Sequence, residues 1–338
     1  MVAVVHKPRL MGRRAILLAA GSGAAVGWPK GSSAQHSDGR YPSRPIRLTV
    51  PYSAGTSTDT MARLIGPAMA KVLGQPIVVE NRPGASGAVG SEAIARSTPD
   101  GYSLLLGAVA SHAILPTLMP RLPYDPLRDF TAISLTTNAP NLLVVNPKVP
   151  ARTLAEFLDW ARQQREKVAY ASAGNGTSSH LAGELLVLRT GAPLEHVPYS
   201  SGAQAVTDVI SGQVPMLVYQ VTAVLPYVRE GSLRALATTS DARLSWTPDV
   251  PTIQEGGISD FDVAAWHGLF GPAGLPSPIV DAVYSALRSA LDDAALRPRI
   301  QDLGLVPVGM PAAEFSRFLK ADIVRWREVI QAANVKAD

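Results

Sequence analysis

Pro45-Ile-Arg-Leu-Thr-Val50, Pro51-Tyr-Ser-Ala-Gly55, the run from Thr58 to Val72 and Ile77-Val-Val79 read in order as strand, turn, helix and strand. The first and last runs are short, apolar and rich in β-branched residues. Between them Met61, Leu64, Ile65, Ala68, Met69 and Val72 recur at helical spacing. Ser57 or Thr58 stands where a helix N-cap belongs, and Gly74 stands where the helix stops. A strand that returns through a helix pairs in parallel with its predecessor. This one unit therefore places the chain in the α/β class.

The alternation continues outward. A Gly-rich loop, Pro83 to Gly87, leads into a helix over 88–96. The spacing predicts strands over 102–106, 131–136, 142–145, 168–171, 194–197, 214–218 and 233–237. It predicts helices near 113–118, from Thr153 to about 164, over 181–188, 203–210 and 223–228, and long ones over 279–292 and 313–330. So many alternating segments favour two α/β lobes, each a mainly parallel sheet flanked by helices. No fixed-period repeat interrupts them.

Composition narrows the class of function. The 338 residues carry a formal charge of +4, but Lys7, Arg9, Arg13, Arg14 and Lys30 lie within the first 34, which hold no acid; taking these 5 from +4 leaves −1 for residues 35–338. A near-neutral body has no basic stripe for nucleic acid. The first 34 residues read as an export signal: Arg13-Arg14, an apolar run from Ala15 to Trp28, and Ser32-Ser33-Ala34 as a small-residue cleavage position. A short N-terminal anchor is the other reading, and the Arg pair leaves the Sec and twin-Arg routes both open. Zero cysteines exclude disulfides, thiolate metal sites and a Cys nucleophile.

Two small-residue loops follow strands and precede helices: Ser53-Ala54-Gly55-Thr56-Ser57-Thr58-Asp59 and Ser172-Ala173-Gly174-Asn175-Gly176-Thr177-Ser178-Ser179-His180. Loops of this kind aim backbone N–H groups at one spot, at the positive end of a helix dipole, and so hold an anion without Arg or Lys. They also sit beyond the carboxyl ends of their strands, where open α/β sheets bind ligands. As plain tight turns they would need the same Gly and Ser.

Phosphate motifs fit poorly. There is no G-x-x-x-x-G-K-[ST], and Gly174-Asn-Gly176 meets Ser179 where a dinucleotide fingerprint has its third glycine. No cofactor is expected. No G-x-S-x-G elbow occurs, and His112, His180, His196 and His267 lack metal-ligand spacing, so neither a metal nor a catalytic residue is assigned. Ser172 and His180 are the pair that a rival hydrolase reading would use. Asp59, in the first turn behind the first loop, reads as a residue that fixes the loop rather than one that faces a bound carboxylate.

At these loops the chain resembles the solute receptors of tripartite tricarboxylate transporters, the Bug family. The resemblance rests on Tyr41-Pro-Ser-Arg-Pro-Ile-Arg-Leu with Pro51 to Asp59, Gly74 to Gly87, Pro99-Asp-Gly-Tyr102, Tyr124-Asp-Pro126, the Ser172–His180 loop, His196-Val-Pro-Tyr199, Gly231 to Ala237, Asp249-Val-Pro-Thr252 and Trp266-His-Gly-Leu-Phe. It implies a type II periplasmic binding protein fold, with two crossover strands as hinge and a ligand closed between the lobes. The implied lobes are 41–140 plus 264–338, and 141–263. It also implies that Ala54, Gly55 and Thr56 from one side, and Ser172, Ala173, Gly174, Thr177 and Ser178 from the other, hold a ligand carboxylate.

Tyr52, Asp59, Ser111 and Gln220 complete the candidate binding set. Thr56 stands where the family usually has Gly, and Gln220 where it often has Asp. A neutral amide there argues against a cationic ligand group and leaves dicarboxylates, hydroxy acids and aromatic acids open. The function expected is a monomeric periplasmic solute receptor that delivers a small carboxylate to a membrane transporter and is not an enzyme; an exported sensor that signals to a membrane partner uses the same closure.

Overall fold

The computed structural model describes residues 41–199 and 201–336. The expected export leader, 1–34, lies outside the described residues. The chain enters β1 (Ile46–Val50), crosses through α1 (Ser57–Leu73) and returns as β2 (Ile77–Asn81), paired in parallel with β1 from Ile46↔Ile77 to Val50↔Asn81. The helix cap is Thr56, one residue earlier than expected. α1 buries Met61, Ala62, Ile65, Gly66 and Met69, while Val72 is exposed.

A 3-10 turn at Ala85–Gly87 and α2 (Ala88–Ala95) lead to β3 (Ser103–Ala108), and a π-helical turn at Ala110–Ile114 runs into α3 (Leu115–Leu118). The next strand, β4 (Phe130–Val145), is one 16-residue element where the sequence predicts two. Pro140, which has no N–H for a ladder, lies in the gap between those two. The strand survives because it changes partners there. Thereafter α4 (Leu154–Arg162), β5 (Val168–Ser172), α5 (Ser178–Thr190), β6 (Leu194–Pro198), α6 (Gly202–Ser211), β7 (Met216–Gln220), α7 (Val221–Arg229) and β8 (Arg234–Thr238) alternate as expected. β9 (Ala264–Pro272), α9 (Leu296–Asp302) and β10 (Val306–Met310) were not legible; α8 (Ser277–Asp292) and α10 (Ala312–Ala332) were.

The strands order as β2-β1-β3-β9-β4-β7-β5-β6, with β8 and β10 also on β4. The pairs β1–β2, β1–β3, β5–β6 and β5–β7 are parallel, as the crossover helices require. The pairs through β4 and β9 are antiparallel, so the sheet is mixed rather than mainly parallel throughout. β4 is the shared strand. Its residues up to Pro140 pair with β9, and Asn141 to Val145 pair with β7 and β8.

β3 and β9 are buried along their whole length. This matches strands covered on both faces. One large core holds Ile46, Leu48, Trp266, Phe270 and Trp326 together with Tyr170, Leu181 and Leu185; a second, with Leu142, Val144, Val206 and Leu217, lies on the opposite face of the β5–β7 region. Trp266 and Trp326 both donate their indole N–H to the buried Asp322 carboxylate, at 2.8 and 3.0 Å, which ties α10 to β9.

Candidate functional site

The first loop sits between β1 and α1. Thr56 caps the helix: its Oγ1 accepts from the Asp59 N–H at 3.4 Å and donates to the Ser53 carbonyl at 2.9 Å. Asp59 reaches back to accept from the Gly55 N–H at 2.9 Å. The same carboxylate accepts from Arg63 Nε at 3.0 Å and from Asn81 Nδ2 at 2.9 Å. Burial works against ionisation of Asp59, but the hydrogen bonds from Arg63, Gly55 and Asn81 and the Arg63 charge outweigh it and hold its pKa below the usual carboxylate range. Asp59 is therefore a brace that fixes the loop. Gly55, at φ +84, takes the left-handed turn with open space around it.

Tyr52 and Ser111 form the wall behind this loop. Tyr52 donates its hydroxyl to Ser111 Oγ at 3.1 Å, and burial pushes its pKa up to about 12. Ser111 is wholly buried and lies 2.8 Å from His112 Nδ1 and 3.1 Å from the Ala108 carbonyl. If Ser111 donates to Ala108, then His112 carries its proton on Nδ1 and donates to Ser111. Its Nε2, buried without a partner beside Phe270, is then a bare acceptor rather than a stranded donor. Burial lowers the His112 pKa to about 3, so the ring is neutral. Ser111 thus positions Tyr52 from behind.

A second buried imidazole supports the loop from β9. His267 lies 3.3 Å from Ser57 Oγ through Nε2 and 2.9 Å from Thr137 Oγ1 through Nδ1. Burial lowers its pKa to about 4.

The second loop sits between β5 and α5, and Thr177 caps the helix by accepting from the His180 N–H at 3.3 Å. Here the locks are hydroxyls and imidazoles. Thr177 Oγ1 donates to the Gly174 carbonyl at 2.7 Å, Ser179 Oγ accepts from the Ala173 N–H at 3.0 Å, and Ser172 Oγ accepts from the Gly174 N–H at 3.1 Å. Ser172 pairs with His196 Nε2 at 2.6 Å, not with His180 as the hydrolase reading supposed. His180 lies parallel to His196, ring centroids 3.6 Å apart, and its Nδ1 accepts from the Gly176 N–H at 3.1 Å. The loop curls back over its own helix, so His180, four residues after Gly176, meets that amide instead of the serine. Gly176, at φ +69, leaves room for Leu118 of α3; a Cβ there would come within 2.5 Å of the leucine.

The structure thus groups the candidates into two clusters, each at a helix N-terminus: Tyr52, Ala54, Gly55, Thr56 and Asp59 with Ser111, and Ser172, Ala173, Gly174, Thr177 and Ser178. Several carried-over amides are occupied within the loops. Gly55, Ala173 and Gly174 donate to Asp59, Ser179 and Ser172. The N–H groups that helix geometry leaves without an intrahelical partner are those of the first turns, Ser57 with Thr58 and Ser178 with Ser179. Gln220 ends β7, opposite Asn141 of β4. Arg63, Asn81, His196 and His267 were missed as supports. Asn81, His196 and His267 lie far from their partners in sequence, though within stretches that carry the family resemblance, whereas Arg63 follows Asp59 by four residues on α1, a spacing that signals the pair locally.

A family profile described as tripartite tricarboxylate transporter family receptor matches residues 61–335. Among solved structures, the periplasmic binding protein BugD is 33% identical with a TM-score of 0.73, over 88% of this chain and 100% of its own. MatC from Rhodopseudomonas palustris with bound malate is 35% identical with a TM-score of 0.71, over 86% and 100%. A second R. palustris protein, with adipate, is 30% identical with a TM-score of 0.75, over 88% and 99%. These neighbours are two-lobed binding proteins, and the chain belongs to the tripartite tricarboxylate transporter receptor family, the Bug family.

Proposed function

We propose that this chain is a periplasmic solute receptor that captures one small carboxylate between two lobes, 41–140 with 264–338 and 141–263, and delivers it to a membrane transporter of the tripartite tricarboxylate type. The observation that carries this reading is the pair of Thr-capped helix N-termini, at α1 and α5, each preceded by a small-residue loop that is locked by its own side chains. Preorganised first-turn amides and helix dipoles bind a carboxylate without a cationic side chain. BugD's description as periplasmic and the malate and adipate in the other two neighbours support the compartment and the solute class.

The solute acts by differential affinity. It contacts both lobes in the closed form and one in the open form, so binding shifts the population toward closure. The crossing at Pro140 and Asn141 of β4, and the passage from β8 to β9, serve as hinge. No bond is made or broken. Calorimetric titration of the purified exported chain against carboxylic acids, malate and adipate among them, tests the reading. Saturable binding of one acid per chain is expected, and absence of binding to every acid in the panel contradicts it.

A further inference from the structure

Asn141 stands where β4 changes partners: Pro140 before it pairs with Ala264, and Asn141 itself pairs with Gln220. Its main chain is satisfied. The N–H donates to Thr239 Oγ1 at 3.1 Å, and the carbonyl accepts from the Thr239 N–H at 3.0 Å. Its side chain is not. The residue is wholly buried, and neither Oδ1 nor Nδ2 has a protein partner. Among the described residues it is the one side chain with two separate buried polar atoms unpaired, one a donor and one an acceptor. Such a group has given up water and gained nothing from the protein, so an apolar residue of the same size would be the better structural choice.

Its position says where a partner would come from. Side chains alternate along a strand, so Asn141 shares a face with Leu143 and Val145. Those two pack in the core that holds Leu181 and Leu185 of α5, whereas Leu142 and Val144 pack on the opposite face. β5 runs parallel to β7, with Ala171 opposite Leu217; Gln220, three residues on, is therefore level with the start of the second loop. The Asn141 carboxamide lies beside Gln220, at the sheet edge from which that loop rises, on the face that α5 covers.

We infer that Asn141 is a solute-selecting residue that reads a hydroxyl on the bound acid. This rests on the receptor reading above and names the solute class within it. A free donor beside a free acceptor is complementary to a group that does both. A hydroxyl does. A second carboxylate only accepts, which leaves Oδ1 unpaired, and a methylene leaves both atoms unpaired. The solute is a hydroxy-substituted carboxylic acid, its carboxylate on the first-turn amides and its hydroxyl on Asn141.

The test is calorimetric titration of the exported chain and its Asn141→Leu variant with matched pairs that differ by one hydroxyl: malate and succinate, lactate and propionate, citrate and tricarballylate. The unaltered chain should bind the hydroxy member of its preferred pair about tenfold or more tightly than the other. In Asn141→Leu that ratio should fall to about one, through weaker binding of the hydroxy acid alone. Circular dichroism checks folding, and Asn141→Ala, which removes the carboxamide without adding bulk, is read by the same ratio. Equal affinities within the pair, binding only of acids without a hydroxyl, or an unchanged ratio in both variants overturns the inference, the last assigning the carboxamide's partner to water. A chain that binds no carboxylic acid at all contradicts the receptor reading itself, a distinct result.

Discussion

The two loops share one sequence pattern and are held by different chemistry. Each follows a short apolar strand, turns on glycine and enters a helix capped by threonine, Thr56 in one and Thr177 in the other. The first is braced by a charged cluster in which the Asp59 carboxylate gathers Gly55, Arg63 and Asn81. The second is braced by hydroxyls and imidazoles, with Ser172 on His196 and His180 on Gly176. Gly55 faces open space, while Gly176 is roofed by Leu118. Equivalent helix N-termini can thus be presented rigidly by unrelated braces, and the two should fail under different insults.

Acid should produce the largest difference. His267 and His112 both stand behind the first loop, and burial lowers their pKa values to about 4 and about 3, from 6.5. Both stay neutral in the fold while the unfolded chain takes up protons, so the unfolded state binds more protons below pH 6.5 and stability falls as pH falls. Thermal melts should therefore show a melting temperature that drops from pH 6.5 toward pH 4, and His267→Gln should flatten that profile. A flat profile for the unaltered chain counts against neutral, buried imidazoles.

Next in size is the charged brace. Asp59→Ala removes the acceptor shared by the Gly55 amide, Arg63 and Asn81, and should cost about 1–2 kcal/mol, read by denaturant titration. It should also weaken solute binding, since the loop loses its shape; unchanged stability would show that Asp59 is not the brace.

Gly176→Ala meets Leu118 at 2.5 Å and a left-handed backbone, whereas Gly55→Ala meets only the backbone term. The first should cost about 1–3 kcal/mol and the second about 1 kcal/mol. Equal costs would mean that Leu118 gives way. The smallest effects should be the caps. Thr56→Ala and Thr177→Ala should each cost about 1 kcal/mol, and nearly the same amount, because the cap geometry is shared even though the braces differ.

Both loops were legible in the sequence because their signals are local. A short apolar run, Gly, and Ser or Thr before a periodic helix need only about a dozen consecutive residues. Of the braces, Asp59 was legible as the residue that fixes the first loop, because Gly55 lies only four residues before it; the distant supports were not. Asn81 reaches Asp59 across 22 residues, His267 reaches Ser57 across 210, and no short-range period reports such pairs. β9 was missed for a related reason: buried on both faces and broken by Gly268 and Gly271, it shows no alternation, and its Trp-His-Gly run carried only the family resemblance. β4 was read as two strands, 131–136 and 142–145, because the sequence does not show that one strand changes partners between them. Asn141, one residue further on, gave no signal at all, since its interest lies in what its side chain does not touch.

The central claim is that one carboxylate is gripped by both helix N-termini. The most direct measurement is a crystal structure of residues 35–338 grown with the tightest-binding acid of the calorimetric panel. The account predicts density for the acid between Thr56 and Thr177, with carboxylate oxygens within hydrogen-bond distance of N–H groups from the first turns of both α1 and α5. An acid bound to one loop alone, or seated away from both, contradicts it.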